Sequence, residues 1–377
     1  MGTWMDATLG KLGFGCMRLP KTDDQLDMPA ICAMFDAFLE AGFNYFDTAH
    51  VYLGGQSEVA LRECLVKRHP RDSFFLADKL SNQNFEVEED IDPLLDLELE
   101  TLGVDYMDML LLHAQNATNY EKYTATHAYE HAFAFKAAGK TRYVGMSFHD
   151  SPDVLERILN DHPDLDAVQL QVNWADWESA SVQSRACVEL CAQRNIPVIV
   201  MEPLKGGNLV SVPEPVQQII DDMDNPEGLS NAGLALRFAA THPSVAMVLS
   251  GMRTIEDVRD NVRAMRTPTP LSKAQAESLQ QAAEKIASMG MIACTACHYC
   301  TDGCPEGIRI PEMLDCLNTK RVFGGWNPSW YYNNSLVSEG HAKASECLQC
   351  GICEEACPQF LPIRDLLEEV ASELEGN

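Results

Sequence analysis

Eight of the 14 cysteines fall between residues 294 and 357 and repeat one spacing twice. Cys294, Cys297, Cys300 and Cys304 precede Pro305; Cys347, Cys350, Cys353 and Cys357 precede Pro358, so both halves read CxxCxxCxxxCP. Such close packing of thiols means ligands rather than disulfides. Three thiolates so spaced can wrap one iron–sulfur cubane, and the fourth, displaced by a proline turn, can reach the other cluster of a pair. The spacing therefore predicts two [4Fe–4S] clusters, one on Cys294, Cys297, Cys300 and Cys357, the other on Cys347, Cys350, Cys353 and Cys304. Because 42 residues separate the halves, the exchange of fourth ligands stays open. Zinc also uses CxxC, but favours two close pairs over a run of three followed by CP. His298 and His341 sit among these cysteines, where the ligand count is already complete.

Upstream, from about residue 12 to 266, short apolar runs alternate with longer amphipathic stretches, as in repeated strand and helix units of a parallel sheet. The strands are expected at 13–17, 45–47, 74–79, 106–113, 143–147, 167–172, 197–202 and 246–250. Helical stretches follow, among them 28–41, 87–102, 180–194 and 254–265, with Gly42, Gly103 and Gly139 at helix ends. Eight such units predict an α/β fold, a (β/α)8 TIM barrel; a doubly wound open sheet is the alternative. A barrel puts its chemistry at the C-terminal strand ends, so Asp47, Lys79, His113, Ser147 and Ser250 should share one rim. After the TPTP at 267–270 the pattern changes. This divides the chain into a barrel domain, 1–270, and a small α-rich domain, 271–377.

With 28 basic and 56 acidic side chains, the formal charge is −28, which repels nucleic acid and anionic lipid alike. The N-terminus lacks a basic region followed by an apolar stretch, and no run approaches a membrane span. The expectation is a cytoplasmic protein with no nucleic-acid partner and no membrane insertion.

Asp47 and Tyr52 lie in DTAHVY, Lys79 ends ADK and His113 ends MLLLH. A carbonyl that accepts hydride becomes an alkoxide and needs a proton donor and a positive field. Tyr52 can donate, but a free phenol, with a pKa of about 10, is a weak acid until an ammonium at hydrogen-bond range favours its anion. Lys79 supplies the ammonium, Asp47 aims it, and His113 can orient the carbonyl from the other side. In this order and spacing the four residues resemble the catalytic tetrad of the aldo-keto reductases. The opening LGFGCMRLP, the MEPLKGG near residue 201 and the cysteine tail resemble the branch of that family fused to a bacterial-ferredoxin-like domain.

The resemblance implies that Ser147 and Gln171 hold a nicotinamide carboxamide, or a flavin ring in its place. It also implies that Ser250, Gly251, Arg253 and Asn261 belong to the phosphate-binding stretch. Met201 stands where many members stack a tyrosine, and Asp257 where NADPH-specific members carry an arginine. Cys16, Arg18 and His50 should lie near the rim, Cys187 and Cys191 should be buried small side chains, and the aromatic run at 323–334 could cover the barrel mouth or pack between the two cluster motifs.

A nicotinamide passes two electrons as hydride and a [4Fe–4S] cluster passes one. Three functions follow: a reductase of a small-molecule carbonyl using NAD(P)H; a flavin (FMN) reductase fed single electrons through the clusters by a ferredoxin-like partner; or an electron-transfer or redox-sensing module with an idle barrel. The intact tetrad favours an oxidoreductase.

Overall fold

The computed structural model describes residues 3–23, 25–179, 182–323, 328–329, 332–337 and 341–375. The chain forms two compact units: Met1–Leu204 with Asn225–Ser272, and Lys205–Asp224 with Lys273–Asn377.

Eight parallel strands close the first unit into a barrel: β1 Leu12–Gly15, β2 Tyr45–Asp47, β3 Phe75–Leu80, β4 Met107–Gln115, β5 Thr141–Phe148, β6 Ala167–Gln171, β7 Val198–Met201 and β8 Val245–Ser250. Each pairs with its neighbours in sequence, and β1 closes the ring by pairing with both β2 and β8. Open-sheet topology is thereby excluded.

Side chains alternate across a strand with period two, and this parity decides what enters the lumen. Tyr45, Phe75, Ala77, Met109, Leu111, Ala167, Ile199, Met247 and Leu249 fill it together with Trp4 from the N-terminal turn. Gly13 of β1 makes room for this filling, since a Cβ there would come 2.6 Å from the Leu249 side chain. Gly145 of β5 does the same, since its Cβ would meet Ala167 O at 2.7 Å and Leu111 at 2.8 Å. Outside the barrel, α1 (Met28–Glu40) starts on an Asp27 cap that accepts the Ala30 N–H. It buries Phe35 and Phe38 edge-on against Phe14, with ring centroids 4.9 and 5.5 Å apart. Each fully buried phenylalanine contributes about 1.5–3 kcal/mol. The next helices are α2 (Gln56–Leu61) and α3 (Ile91–Leu102), the latter ending on left-handed Gly103. A Cys32–Cys64 disulfide joins α1 to the turn after α2, a pairing that no sequence feature marked.

The second unit departs from the 1–270 and 271–377 division. Its first piece, Lys205–Asp224, follows β7 in sequence but belongs here because the helix Glu214–Asp221 packs on the helix Lys273–Ser288, and Gln275 Nε2 donates to Asp224 O. The remainder is built from Ile310–Phe323, Ile363–Leu374 and two short helices, Tyr299–Asp302 and Ile352–Glu355. Their core joins Ile308, Met313, Leu314, Leu317, Leu367 and Val370. Among the described residues no helix is long and apolar enough to cross a membrane.

Candidate active site and cluster loops

Lumen parity carries upward to the chemistry. Asp47 stands two residues beyond Tyr45, Lys79 two beyond Ala77, His113 two beyond Leu111, Ser147 two beyond Gly145 and Gln169 two beyond Ala167, so all five enter the layer above the apolar filling. Lys79, fully buried, donates from Nζ to Asp47 Oδ1 at 2.5 Å and to Thr48 O at 2.5 Å. Asp47 Oδ2 accepts from Gln169 Nε2 at 3.0 Å, so both carboxylate oxygens are held. Tyr52 opens the turn after β2. The Lys79 ammonium lies 4.7 Å from its ring centroid, and the His113 ring meets it edge-on at 5.9 Å. Burial first, then Lys79 and His149, hold His113 well below the usual imidazole range. Burial also pushes His149 down to about 4. His149, in VGMSFHD after β5, is a rim residue that sequence reasoning passed over.

Non-glycine residues with positive φ cost about 1–3 kcal/mol and cluster at functional sites. Three border this layer: Leu53 (55°) beside Tyr52, Ala114 (52°) beside His113, and Glu202 (53°) after β7.

The expected cofactor contacts divide. Ser147 Oγ accepts the Ala114 N–H at 2.7 Å, which leaves its hydroxyl proton to donate. Gln171 Nε2 donates to Asp176 Oδ2 at 2.8 Å, as does Asn173 Nδ2; Asp176 is a second residue without a sequence signal. Ser250 does not face the lumen with the others. Its parity is opposite to Leu249, and its hydroxyl accepts from Asn261 Nδ2 at 2.7 Å on the helix Ile255–Met265. Gly251 lies against the Arg18 side chain, and Arg253 is exposed. Asp257 closes that helix's capping box: its carboxylate accepts the N–H groups of Arg253 and Thr254, while its own N–H goes to Thr254 Oγ1. Met201 ends β7, Cys16 is buried, and Cys187 and Cys191 are buried as small side chains. His50 Nδ1 bonds Glu58 Oε2 at 2.7 Å. Half of the aromatic run at 323–334 lies outside the described residues; within the rest, Tyr332 is buried in the second unit's own core, where its hydroxyl accepts the Ala344 N–H.

In the second unit the eight motif cysteines fall in two groups. Cys304, Cys347, Cys350 and Cys353 line one pocket. Burial, then Cys297, Cys294 and Cys357, raise the Cys300 thiol, so those three lie within electrostatic reach of it. The two loops also repeat a conformation. Ala296 (φ 49°) donates its N–H to Cys294 Sγ at 3.4 Å, and Gln349 (φ 57°) donates to Cys347 Sγ at 3.5 Å. Amide donors aimed at sulfur suit thiolates that bear cluster charge, so the donor set fits iron–sulfur clusters. Among the described residues no group of three Cys, His, Asp or Glu converges on a single-ion site. His298 stands 3.9 Å from Glu312. Gly206, from the LKGG segment, presses on the first loop: at φ 67°, a Cβ there would lie 2.2 Å from Thr295 O. Asn208 Nδ2 donates to Cys294 O at 2.9 Å.

Comparison with known proteins agrees with this geometry. Residues 11–284 match the aldo/keto reductase family and residues 293–362 a 4Fe-4S dicluster domain. The chain is 26% identical over 334 residues to the NADH-specific methylglyoxal reductase of Escherichia coli (strain K12), covering 74% of this chain and 97% of that one. It is 24% identical over 289 residues to an uncharacterized oxidoreductase of Bacillus subtilis (strain 168), covering 69% and 88%. A holo-form aldo-keto reductase of Bacillus halodurans superposes with a TM-score of 0.58 at 26% identity, covering 73% of this chain and 92% of that one. The chain belongs to the aldo/keto reductase family and carries a 4Fe-4S dicluster domain after its barrel.

Proposed function

We propose that this oxidoreductase reduces the carbonyl of a small aldehyde or ketone, with Tyr52 as the proton donor. The observation that carries the reading is the lumen layer in which the Lys79 ammonium, bonded to Asp47, lies 4.7 Å from the Tyr52 ring while His113 meets that ring edge-on. Tyr52 gives its proton to the oxygen that becomes an alkoxide, and Lys79 supplies the positive field there. Asp47, held by Gln169, aims the ammonium. His113 donates a hydrogen bond to the same oxygen. A bound nicotinamide would supply the hydride. Ser147 and Gln171 would hold its carboxamide, and Ser250, Gly251, Arg253 and Asn261 the phosphate end. The Asp257 carboxylate, already on two N–H groups at that helix start, opposes a 2′-phosphate and supports NADH over NADPH. The Escherichia coli relative's name supports the same preference and makes methylglyoxal the first substrate to test.

The clusters would supply single-electron transfer, with Cys294, Cys297, Cys300 and Cys357 on one and Cys347, Cys350, Cys353 and Cys304 on the other, exchanging with a ferredoxin-like partner. Met201 at the end of β7, where an aromatic ring would otherwise stack, supports a second reading in which FMN occupies the same rim. The test is Tyr52→Phe in cluster-loaded protein with NADH and methylglyoxal. The expected result is a fall in kcat of about 10²- to 10⁴-fold with unchanged circular dichroism; wild-type turnover overturns the reading.

A further inference from the structure

We infer that Ser81 is a positioning residue of this site: its hydroxyl fixes the His113 imidazole as the tautomer that carries its proton on Nε2. The inference rests on the carbonyl-reduction reading and assigns a part to a residue outside the tetrad. Ser81 follows β3 directly and is buried, with Oγ 2.6 Å from His113 Nδ1. A serine hydroxyl has one proton to give. The other acceptor in reach is Lys79 O, at 3.4 Å.

Two arrangements satisfy this pair. In one, Oγ–H donates to Nδ1, the short contact is a full O–H···N bond, and the imidazole proton must sit on Nε2. In the other, Nδ1–H donates to Oγ, and the hydroxyl proton is left to the 3.4 Å contact, well beyond the 2.7–2.8 Å typical of O–H···O bonds. The geometry selects the first. A neutral imidazole has one N–H, and the partner of one nitrogen decides what the other presents. With Nδ1 accepting from Ser81, the imidazole proton sits on Nε2, the nitrogen that can give it to a carbonyl oxygen; with Nδ1 protonated, Nε2 would offer that oxygen a repelling lone pair.

The surroundings hold both partners still. Tyr123 OH donates to Leu80 O at 2.6 Å and lies 3.1 Å from His113 O, so one phenol spans the backbone beside Ser81 and that of His113. Asn82 Nδ2 donates to Asn119 Oδ1, and Asn119 Nδ2 donates to Ala114 O, which ties the turn after Ser81 to the strand end after His113. Ser147 Oγ completes the clamp on the Ala114 N–H.

The test uses cluster-loaded protein labelled with ¹⁵N-histidine, the His113 signals being identified by their loss in His113→Asn. The expected wild-type spectrum shows an unprotonated, hydrogen-bonded Nδ1 and a protonated Nε2. In Ser81→Ala both tautomers should appear, kcat for methylglyoxal with NADH should fall about tenfold, the worth of roughly one hydrogen bond, and KM should change little. Ser81→Thr, which keeps the hydroxyl, should restore the single tautomer and most of kcat. A protonated Nδ1 in the wild-type protein overturns the inference whether or not the protein turns over methylglyoxal. Equal turnover by wild type and Ser81→Ala overturns it while leaving carbonyl reduction intact. Absence of carbonyl reduction in the wild type defeats the functional reading instead, and the spectrum still decides the tautomer.

Discussion

Replacing Glu58 by glutamine should make the protein more resistant to alkaline pH. Glu58 of α2, Asp78 of β3 and Glu98 of α3 are all fully buried between the barrel wall and its helices. Among the described residues no N–H or hydroxyl group donates to Glu58 Oε1, Asp78 Oδ2 or either oxygen of Glu98, which leaves carboxyl protons to complete the bonding. Burial pushes Glu58 from 4.5 up to about 8, against a smaller opposing effect of its hydrogen bond to Asp78. Burial, then the neighbouring carboxylates, push Asp78 and Glu98 the same way, with Lys79 opposing at Asp78. A carboxyl raised in the folded state binds more protons folded than unfolded, so its stabilisation is complete below about pH 4.5 and is lost as pH rises through about 8. Three and a half units at about 1.36 kcal/mol each give about 5 kcal/mol over the whole window, and the two units above pH 6 hold about 2–3 kcal/mol of it. Glu58→Gln keeps a group that can accept from His50 and donate to Asp78, yet never ionises. In anaerobic urea unfolding followed by circular dichroism, the wild type should lose about 2–3 kcal/mol more than the variant between pH 6 and 9. A residual slope from Asp78 and Glu98 should survive in both proteins. Parallel pH profiles would refute the buried-proton reasoning.

Other perturbations test separate parts of the molecule. Lys79→Met takes from Asp47 its buried cation and leaves it the Gln169 amide, so unfolding stability should fall by about 3–5 kcal/mol; Asp47→Leu/Lys79→Met should recover much of it, and equal loss in single and double variants would count against a paired charge. Gly206→Ala forces a Cβ onto Thr295 O, so iron content per chain should fall while the circular dichroism of the barrel persists; full iron content would show that the first loop tolerates the shift. Cys357→Ser should perturb the electron paramagnetic resonance of the cluster on Cys294, Cys297 and Cys300, and Cys304→Ser that of the other. The reverse pattern would mean that each motif keeps its own fourth ligand.

All eight barrel strands were legible within about two residues at each end, because strands buried on both faces read as apolar runs between polar turns. The grouping of Asp47, Lys79 and His113 at one rim was legible because period-two alternation carries polar residues at strand ends into the lumen. What escaped depends on contacts distant in sequence or on local roles that mimic chemistry. Asp257 reads as a carboxylate facing a phosphate, yet it also caps its own helix. Ser250 reads as a rim residue, but one step of parity turns it toward Asn261. Gly206 looks like an ordinary turn residue until Thr295, far along the chain, is seen against it. Asp176, Gln169 and Ser81 are ordinary polar residues in sequence, and only the folded lumen shows which partners they hold. The Cys32–Cys64 pair was hidden because two helical cysteines carry no spacing signal.

Direct hydride transfer at Tyr52 is tested most directly by isotope. Methylglyoxal is reduced anaerobically with NADH deuterated at both C4 positions, and the alcohol is analysed by mass spectrometry. Deuterium is predicted on the new carbinol carbon, because the hydrogen goes straight from donor to acceptor while Tyr52 supplies only the exchangeable hydroxyl proton. Product carrying protium on that carbon would contradict this, since it would mean that the electrons reach the carbonyl through a group whose hydrogen exchanges with water.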